Sequence, residues 1–382
     1  MKKILYLAAV TILAVASCNK IEEGASVGES NVPTFEASVD GADTKTIIDG
    51  LKSYWDGTEG IRVLDGKLTN GKVYTTNVEK AETATFVEKD GSVALSGDDY
   101  LAVYPEGPAG SVTWDGNVAN AAKKFWLPGK QNAVLGSYDP STHIAVAYTT
   151  AGNNNLEFKN VTSLAKFTLK GNNVKEVCFY GNNSDVIAGN FDVTYNDKKP
   201  KATPNGNEKL TYAKVVAPEG KTLAEGIYYI SVLPCIFTKG FGIEAIDNTY
   251  EFKSVKKNSK SYTLNRNEIL DLGEIEWNGK IYLNAGGSGL WDQGSAWFSA
   301  YFMDSNKTTT KWVTLTKNKN GIYEGNIPDG TWKYVIFVRN NPVDQVADWT
   351  NIWNQTADLE LQKGKNLYTI TGWSYGDWSE KK

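Results

Sequence analysis

Short runs of alternating apolar and polar residues follow one another along most of the chain. In residues 311–316, for example, Val313 and Leu315 alternate with Trp312 and two threonines. An alternation of period two is typical of β-strands, because successive side chains point to opposite faces of a sheet. After the first seventeen residues, no segment keeps a helical period of apolar residues over three turns.

Asp-Gly and Asn-Gly dipeptides separate many of these runs, and such pairs favour tight hairpin turns. They include the dipeptides that begin at Asp40, Asn70, Asp90, Asp115, Asn205, Asn278, Asn320 and Asp329. Short strands joined by tight turns predict an all-β protein built from tandem β-sandwiches.

The first seventeen residues have the pattern of an export signal. Lys2 and Lys3 precede an apolar run over residues 4–14, and small residues lead to Cys18. The run is too short to cross a bilayer, which takes roughly 20 residues. We therefore predict that residues 1–17 are a lipoprotein signal peptide and that acylated (palmitate-bearing) Cys18 anchors the protein in a membrane. The alternative is an ordinary cleaved signal with an incidental cysteine.

Composition divides the remaining chain. Residues 18–32 are rich in Glu, Gly, Ser and Asn and predict a lipidated, flexible tether. Eight of the twelve tryptophans lie in the last hundred residues, which predicts a separate β-sandwich module over 279–382. The segment between is too long for one small sandwich, so we divide it into sandwiches at 33–155 and 156–277. Residues 19–23 resemble surface-export signals of Bacteroidetes lipoproteins, which implies an outer-membrane, surface location.

Charge and motifs exclude several classes of function. With 40 basic and 44 acidic residues, the chain is a poor partner for nucleic acid. His143 is the single histidine, so no multi-histidine metal site is expected, and no cofactor motif is present. Glycoside hydrolysis needs two placed carboxylates, and the C-terminal candidates qualify by residue type only: Asp344, Asp348, Asp358 and Glu360. We predict that the protein is not an enzyme.

Cys178 and Cys235 each lie in an apolar, strand-like run, which predicts buried thiols that pack as small hydrophobic groups. A disulfide between them is the alternative, because an exported protein meets an oxidising compartment.

A series of short sequence segments in residues 33–277 resembles segments of the Bacteroidetes fimbrillin family. In chain order they are Phe35-Glu36-Ala37, Thr44-Lys45-Thr46, Trp55-Asp56-Gly57, Ile61-Arg62-Val63, Tyr100-Leu101-Ala102-Val103-Tyr104-Pro105, Leu127-Pro128, Gln131, Leu156-Glu157-Phe158-Lys159-Asn160-Val161, Tyr229-Ile230-Ser231-Val232-Leu233-Pro234, Gly240-Phe241 and Arg266-Asn267-Glu268-Ile269-Leu270 with Leu272-Gly273. The resemblance implies two transthyretin-like sandwiches and other pilin subunits as partners. In that family a protease, often acting after Arg, removes an early strand, and a neighbouring subunit's strand replaces it. Here Arg62 lies inside a predicted strand, so cleavage would either use Lys45 or not occur.

The C-terminal module places aromatic rings among polar groups. Trp312 shares the polar face of its strand with threonines, and an exposed indole of this kind favours a covering ligand. The apolar face of a pyranose can stack on an indole, while its hydroxyls need amide and hydroxyl partners. Such partners are interleaved with Trp349 and Trp353, at Asn351, Asn354, Gln355 and Thr356.

Other tryptophans have a structural interpretation. Trp297 and Trp332 lie in long runs that favour the core. Trp349 and Trp353 are four residues apart, so they are either ligand platforms or pack on the sheet from one helical turn. Trp373 and Trp378 could not be assigned to either role.

Residues 280–378 resemble starch-binding modules related to carbohydrate-binding family 26. The segments and residues that carry this resemblance are Ile281-Tyr282-Leu283-Asn284, the predicted strand over 296–304, Trp312, Val335-Ile336-Phe337-Val338-Arg339-Asn340-Asn341-Pro342, Trp353-Asn354-Gln355-Thr356-Ala357-Asp358-Leu359, Trp373 and Trp378. The resemblance implies α-glucan binding, with Tyr301 and Trp312 as a curved platform and Gln355 as a hydrogen-bonding partner. Met303 stands where the family often has a second platform tyrosine.

The sequence therefore predicts a non-catalytic surface lipoprotein that binds starch or α-glucan through Tyr301, Trp312, Trp349, Trp353, Asn354 and Gln355. The alternative is a fimbrial tip subunit or adhesin that assembles into a pilus by strand exchange. A third possibility is a purely structural pilin.

Overall fold

The computed structural model describes residues 33–381, apart from 40–54, 56, 58–59, 69, 79–80, 90–93, 108–110, 197–198, 278, 286–288 and 290. The signal at 1–17, Cys18 and the tether at 18–32 lie outside the described residues. Within the described ranges the regular elements are strands and no α-helix occurs, so the all-β class is confirmed. In this part of the chain, no helix has the length and apolar character that a membrane span requires.

The first strands are β1 (Phe35–Val39), β2 (Gly60–Leu64), β3 (Lys72–Thr75), β4 (Thr83–Glu88), β5 (Asp99–Tyr104), β6 (Ala122–Leu127), β7 (Lys130–Asn132), β8 (Ala145–Thr150) and β9 (Asn155–Asn160). Seven of them close into a barrel in the order β1-β4-β3-β2-β5-β8-β9. β1 closes this barrel because it pairs antiparallel with β4 and parallel with β9. These seven strands therefore form one closed barrel rather than the two open sheets of a sandwich.

Aromatic side chains fill the barrel, as expected for strands with one apolar face. The buried indole of Trp55 contacts Phe86 and Phe158, with ring centroids 4.9 and 5.8 Å away. Its Nε1 donates a hydrogen bond of 3.0 Å to the carbonyl oxygen of Ala37 in β1. Trp55 is therefore a core residue of the barrel.

The middle of the chain forms eleven strands: β10 (Ser163–Lys170), β11 (Val174–Gly181), β12 (Ala188–Asn196), β13 (Lys199–Leu210), β14 (Tyr212–Val216), β15 (Gly226–Val232), β16 (Cys235–Phe237), β17 (Phe241–Asp247), β18 (Lys253–Asn258), β19 (Tyr262–Leu264) and β20 (Ile269–Glu276). They form the sheets β15-β10-β20, β18-β17-β11-β14-β7, β13-β12-β6 and β16-β19. β6 and β7 thus pair with later strands, whereas β9 belongs to the barrel. Strand pairing does not follow a single cut at residue 155, and the division into 33–155 and 156–277 stays a prediction.

Both cysteines of the described chain are free thiols, so the alternative of a disulfide between them is not formed. Cys178 is buried, as predicted, while Cys235 is only partly buried. Burial raises the pKa of Cys178 to about 12 and that of Cys235 to about 11, so both thiols stay protonated at neutral pH.

The last strands are β21 (Lys280–Asn284), β22 (Trp297–Met303), β23 (Thr310–Lys317), β24 (Tyr323–Asn326), β25 (Tyr334–Asn340), β26 (Ile352–Gln355), β27 (Leu359–Glu360), β28 (Leu367–Ile370) and β29 (Gly376–Ser379). They pair with one another in the order β26-β25-β22-β23-β24-β21-β28-β29, and β27 pairs with β25. The two ends of this sheet face each other, because Phe337 of β25 stacks on Tyr368 of β28 at 5.6 Å. Trp297 and Trp332 are 9% and 4% exposed, which confirms them as core residues.

The buried imidazole of His143 makes folding stability sensitive to pH. Its Nδ1 lies 3.0 Å from the Thr162 hydroxyl, and its ring packs against Tyr138. Burial lowers the pKa of His143 to about 4, below its usual value near 6.5. As the pH falls below 6.5, the unfolded chain takes up a proton that the folded chain excludes, so the folded state loses stability.

We predict that lowering the pH from 7.5 to 5.5 costs the wild-type chain about 1 kcal/mol of unfolding free energy through this group. Urea unfolding at the two pH values measures the loss. In His143→Asn, which removes the only histidine, that part of the pH dependence should disappear. An equal loss in the variant would contradict the assignment to His143.

Candidate functional site

The outer face of β26-β25-β22-β23 carries an apolar cluster that is separate from the core. Alternation sends Phe298, Ala300 and Phe302 of β22 inward, and Tyr301 and Met303 outward. The outer cluster consists of buried Met303, Ile336 and Val338 with Tyr301, Trp312, Tyr334 and Ile352 packed against them. This half of the sheet is therefore apolar on both faces. We call the outer cluster, together with Trp349, the aromatic patch.

Three rings of the aromatic patch contact one another. Tyr301 and Trp312 are cross-strand partners whose ring centroids lie 4.6 Å apart with 49° between their planes. Trp349 lies 4.8 Å from Tyr301 and 4.7 Å from Trp312, at steeper angles of 73° and 61°. The first two rings are half-buried, and Trp349 is 42% exposed. The result is an angled, partly wetted aromatic surface.

Trp349 reaches the aromatic patch from the loop over residues 341–351, which joins β25 to β26. A hydrogen bond of 2.8 Å from the Asn341 backbone N–H to the Asn351 carbonyl closes this loop at its base. The alternative in which Trp349 and Trp353 share a helical turn is wrong, because Trp349 lies in a loop and Trp353 in β26. Met303 lies buried beneath the rings, and Trp349 supplies the third ring.

Gln355 lies on the same face of the sheet, but at a distance from the rings. It pairs with Val338, whereas Tyr301 pairs with Ile336, and β26 is three strands from the strand that carries Trp312. At about 4.8 Å per strand, the separation from Trp312 is roughly 14 Å. The Gln355 side chain is half-buried. It can reach a hydroxyl of an extended ligand, but not one of a single sugar stacked on Trp312.

Trp353 and Asn354 do not join the aromatic patch, contrary to the single site that the sequence predicted. Asn354 pairs with Arg339 on the inner side, donates from Nδ2 to the Trp373 carbonyl and accepts from the Gln355 backbone N–H. The Trp353 ring lies over the Arg339 guanidinium, 4.6 Å from its carbon. The six predicted residues are therefore divided between two surfaces on either side of β26.

Each of the four candidate carboxylates contacts a lysine or a hydrogen-bond donor, and Asp344 accepts a hydrogen bond of 3.2 Å from Asn351 Nδ2. Asp358 forms an ion pair of 2.6 Å with Lys307, and Glu360 pairs with Lys333. Hydrogen bonds from the Thr350 hydroxyl and backbone lower the pKa of Asp348. The lowered pKa keeps the Asp348 carboxylate ionised, whereas a glycosidase's general acid needs a raised pKa. The arrangement supports ring stacking and hydrogen bonding.

The apolar base of the aromatic patch, formed by Ile336, Val338 and Ile352, was not predicted from the sequence. The signal was the unbroken apolar run over residues 335–338, because a strand that is apolar at every position buries both faces. Trp373, which could not be assigned from the sequence, and Tyr375, which was not predicted as a site residue, are 56% and 66% exposed.

No protein-family model and no curated protein matches the chain. Among solved structures, a protein from Bacteroides uniformis, provisionally described as a cell adhesion protein, is similar at 14% identity and a TM-score of 0.36, covering 78% of this chain and 98% of that one. A protein from Bacteroides ovatus with the same provisional description is 12% identical with a TM-score of 0.36, covering 63% of this chain and 91% of that one. A tip fimbrial protein from Porphyromonas gingivalis, truncated at its C-terminus, is 11% identical with a TM-score of 0.29, covering 63% and 94%.

The three proteins are described as adhesion or fimbrial proteins, the class that the fimbrillin-like segments implied, and none of the three is described as a starch-binding module. The three TM-scores lie below 0.5, which is too low to assign a function to this chain.

Core and surface tryptophans should differ sharply in their contribution to stability. Trp291 is fully buried, stacks on Phe298 and donates from Nε1 to the Trp373 carbonyl at 2.9 Å. We expect Trp291→Ala to cost about 3–5 kcal/mol of unfolding free energy. The matched variant Trp373→Ala keeps that carbonyl and should change the free energy by less than about 0.5 kcal/mol. Denaturant unfolding measures both, and equal losses would contradict this division.

Proposed function

We propose that this chain is a non-catalytic cell-surface adhesin whose C-terminal module binds polysaccharide, with α-glucan as the ligand class. The observation that carries the proposal is the mutual contact of Tyr301, Trp312 and Trp349 on the outer face of the module. These rings lie outside the main core. The inward-facing residues already form that core, so the outer rings are not needed to build the sandwich.

The chemistry of the patch fits a sugar better than a purely apolar ligand. Exposed apolar area of this kind marks interaction sites in soluble proteins. Thr310 and Thr314 flank Trp312 on the same exposed face, and Gln355 lies further along it. A pyranose presents an apolar face for a ring and hydroxyls for such groups. The 49° angle between Tyr301 and Trp312 suits a bent chain such as an α-glucan better than a flat one.

The proposed location at the cell surface rests on the predicted lipoprotein signal and tether. Acylated Cys18 would anchor the chain in the outer membrane, and the tether over 18–32 would carry the folded part away from the lipid. Binding without cleavage is consistent with the lysine-paired carboxylates Asp358 and Glu360. The protein would then concentrate polysaccharide at the cell surface.

Affinity electrophoresis of the chain from residue 19 tests the binding. We expect amylopectin in the gel to retard the protein and xylan to leave its migration unchanged. Trp312→Ala should weaken amylopectin binding at least about tenfold, which corresponds to about 1.4 kcal/mol, because it removes half of the angled ring pair. No reducing ends should be released during incubation.

Tyr212→Ala is the matched control, because Tyr212 is an exposed aromatic residue on β14, outside the module. It should migrate like the wild type in both gels. If no α-glucan retards the wild-type chain, the proposed ligand class is wrong.

A second candidate function, assembly into a pilus by strand exchange, is favoured by the position of β1. This strand alone bridges β4 and β9, and its side chains Phe35 and Ala37 are fully buried in the barrel. Phe35 packs against Tyr74 and Tyr100, with centroids 5.0 and 6.1 Å away. Loss of β1 would leave an apolar slot between two unpaired strand edges, which a strand from another subunit can fill.

Limited trypsin digestion tests this assembly. Arg62 lies in β2, where its Nη1 donates to the Asn70 carbonyl at 2.7 Å, so we expect it to resist cleavage. Cleavage after Lys45, which lies outside the described residues, should free β1 and produce SDS-stable ladders. Lys45→Gln should reduce the ladders, and an excess of peptide 33–45 should cap the trimmed chain as a monomer. A trimmed chain that stays monomeric without peptide would argue against strand exchange.

A further inference from the structure

The Trp353 indole is stacked on the protein and partly exposed to solvent. One face lies against the Arg339 guanidinium at 4.6 Å. The ring edge approaches Gly294, where an added Cβ would lie 3.1 Å from the indole, and the backbone φ of +65° also favours glycine. Despite these two contacts, 45% of the residue is exposed to solvent.

Buried hydrogen bonds fix the support beneath this ring. Arg339 is only 9% exposed, and it donates from Nε to the Trp291 carbonyl and from Nη2 to the Gln293 carbonyl, both at 2.8 Å. A planar guanidinium with two such bonds has a fixed orientation. Trp353 therefore needs little ordering when a ligand stacks on it, which lowers the entropic cost of binding.

Two further exposed rings lie at the same end of the module. The Trp373 carbonyl accepts from both Trp291 Nε1 and Asn354 Nδ2, so the turn before β29 is fixed next to the Trp353 strand. The Tyr375 ring lies on the backbone of Gly372, where an added Cβ would be 2.3 Å from it. Trp353, Trp373 and Tyr375 thus form a second group of exposed aromatic residues, which we call the edge surface.

We propose that the edge surface is a second polysaccharide contact and that one glucan chain occupies it together with the aromatic patch. The inference rests on the proposed function. The two surfaces are adjacent, because Ile352 packs in the aromatic patch and the next residue, Trp353, belongs to the edge surface. This adjacency supports a single glucan chain that contacts both. β26 lies two strands from β22, so Tyr301 is roughly 10 Å from the boundary.

The polar groups around the edge surface favour a sugar over a second protein chain. Asn354 keeps one amide hydrogen beyond its bond to Trp373, and Gln293 and Ser374 are exposed nearby. Their hydrogen-bonding capacity matches hydroxyl groups that surround an apolar ring face. Linking two weak contacts through one ligand can raise the overall affinity about 10²–10⁴-fold without a stronger contact at either surface.

Calorimetry with maltotriose and with amylopectin separates the two surfaces in the chain from residue 19. We expect two maltotriose molecules per wild-type chain and one in Trp353→Ala or in the double variant Trp373→Ala, Tyr375→Ala. The remaining site should keep its Kd, and amylopectin affinity should fall at least about tenfold. Trp353→Ala could also change the position of Arg339, on which the ring stacks. The double variant removes only exposed rings, so it tests the edge surface without that effect.

The possible outcomes distinguish this inference from the proposed function. Unchanged stoichiometry and unchanged amylopectin affinity in both variants would overturn the edge surface and leave the aromatic patch standing. Loss of binding in the edge variants, but not in Trp312→Ala, would support the edge surface and overturn the role given to the aromatic patch. If the edge variants change only self-association in sedimentation, the edge surface is a protein contact and the inference is wrong. No glucan binding by the wild type would overturn both.

Discussion

Burial of the inner face of β22 and β25 is the constraint on which the C-terminal module depends. Phe298 packs on Tyr323 and Phe337 on Tyr368, so these contacts join the two halves of one long sheet into a sandwich. A sheet that is stabilised from one side can carry apolar side chains on the other side without needing them for folding. The outer rings can then be selected for another purpose, and their partial exposure is consistent with that.

The sequence predicted those properties that depend on local alternation. Period two in residues 311–316 placed Trp312 on one face with the threonines and Leu315 on the other, and in the structure Leu315 is buried in the core. Trp297 and Trp332 were also assigned to the core correctly. The Asp-Gly and Asn-Gly dipeptides predicted turns less reliably. The Asn205-Gly206 pair lies within β13 rather than between two strands. It falls at a register irregularity opposite Asn190, and pairing with β12 continues on both sides of it.

Features that depend on distant pairing could not be predicted from the sequence. The parallel contact of β1 with β9 joins residues more than a hundred positions apart, and it decides between a barrel and an open sheet. The division of the predicted site has a similar cause. A register shift between Arg339 and Asn340 places Ile352 on the outer face and turns Trp353 toward the guanidinium. Spacing along the chain gives no sign of this shift, so Trp349 and Trp353 looked equivalent.

Binding and assembly make separate demands on this chain, and the structure allows both. Strand exchange would act on β1 at the beginning of the described chain, whereas the aromatic surfaces belong to strands and turns beyond residue 290. Strands of the module pair only with one another within the described residues, so replacing β1 would break no pairing beneath the rings. An adhesin at the end of a polymer needs this independence, because assembly must not disturb the surface that binds. The arrangement is therefore consistent with a binding module carried by a strand-exchanging stalk as well as by a single lipid-anchored chain.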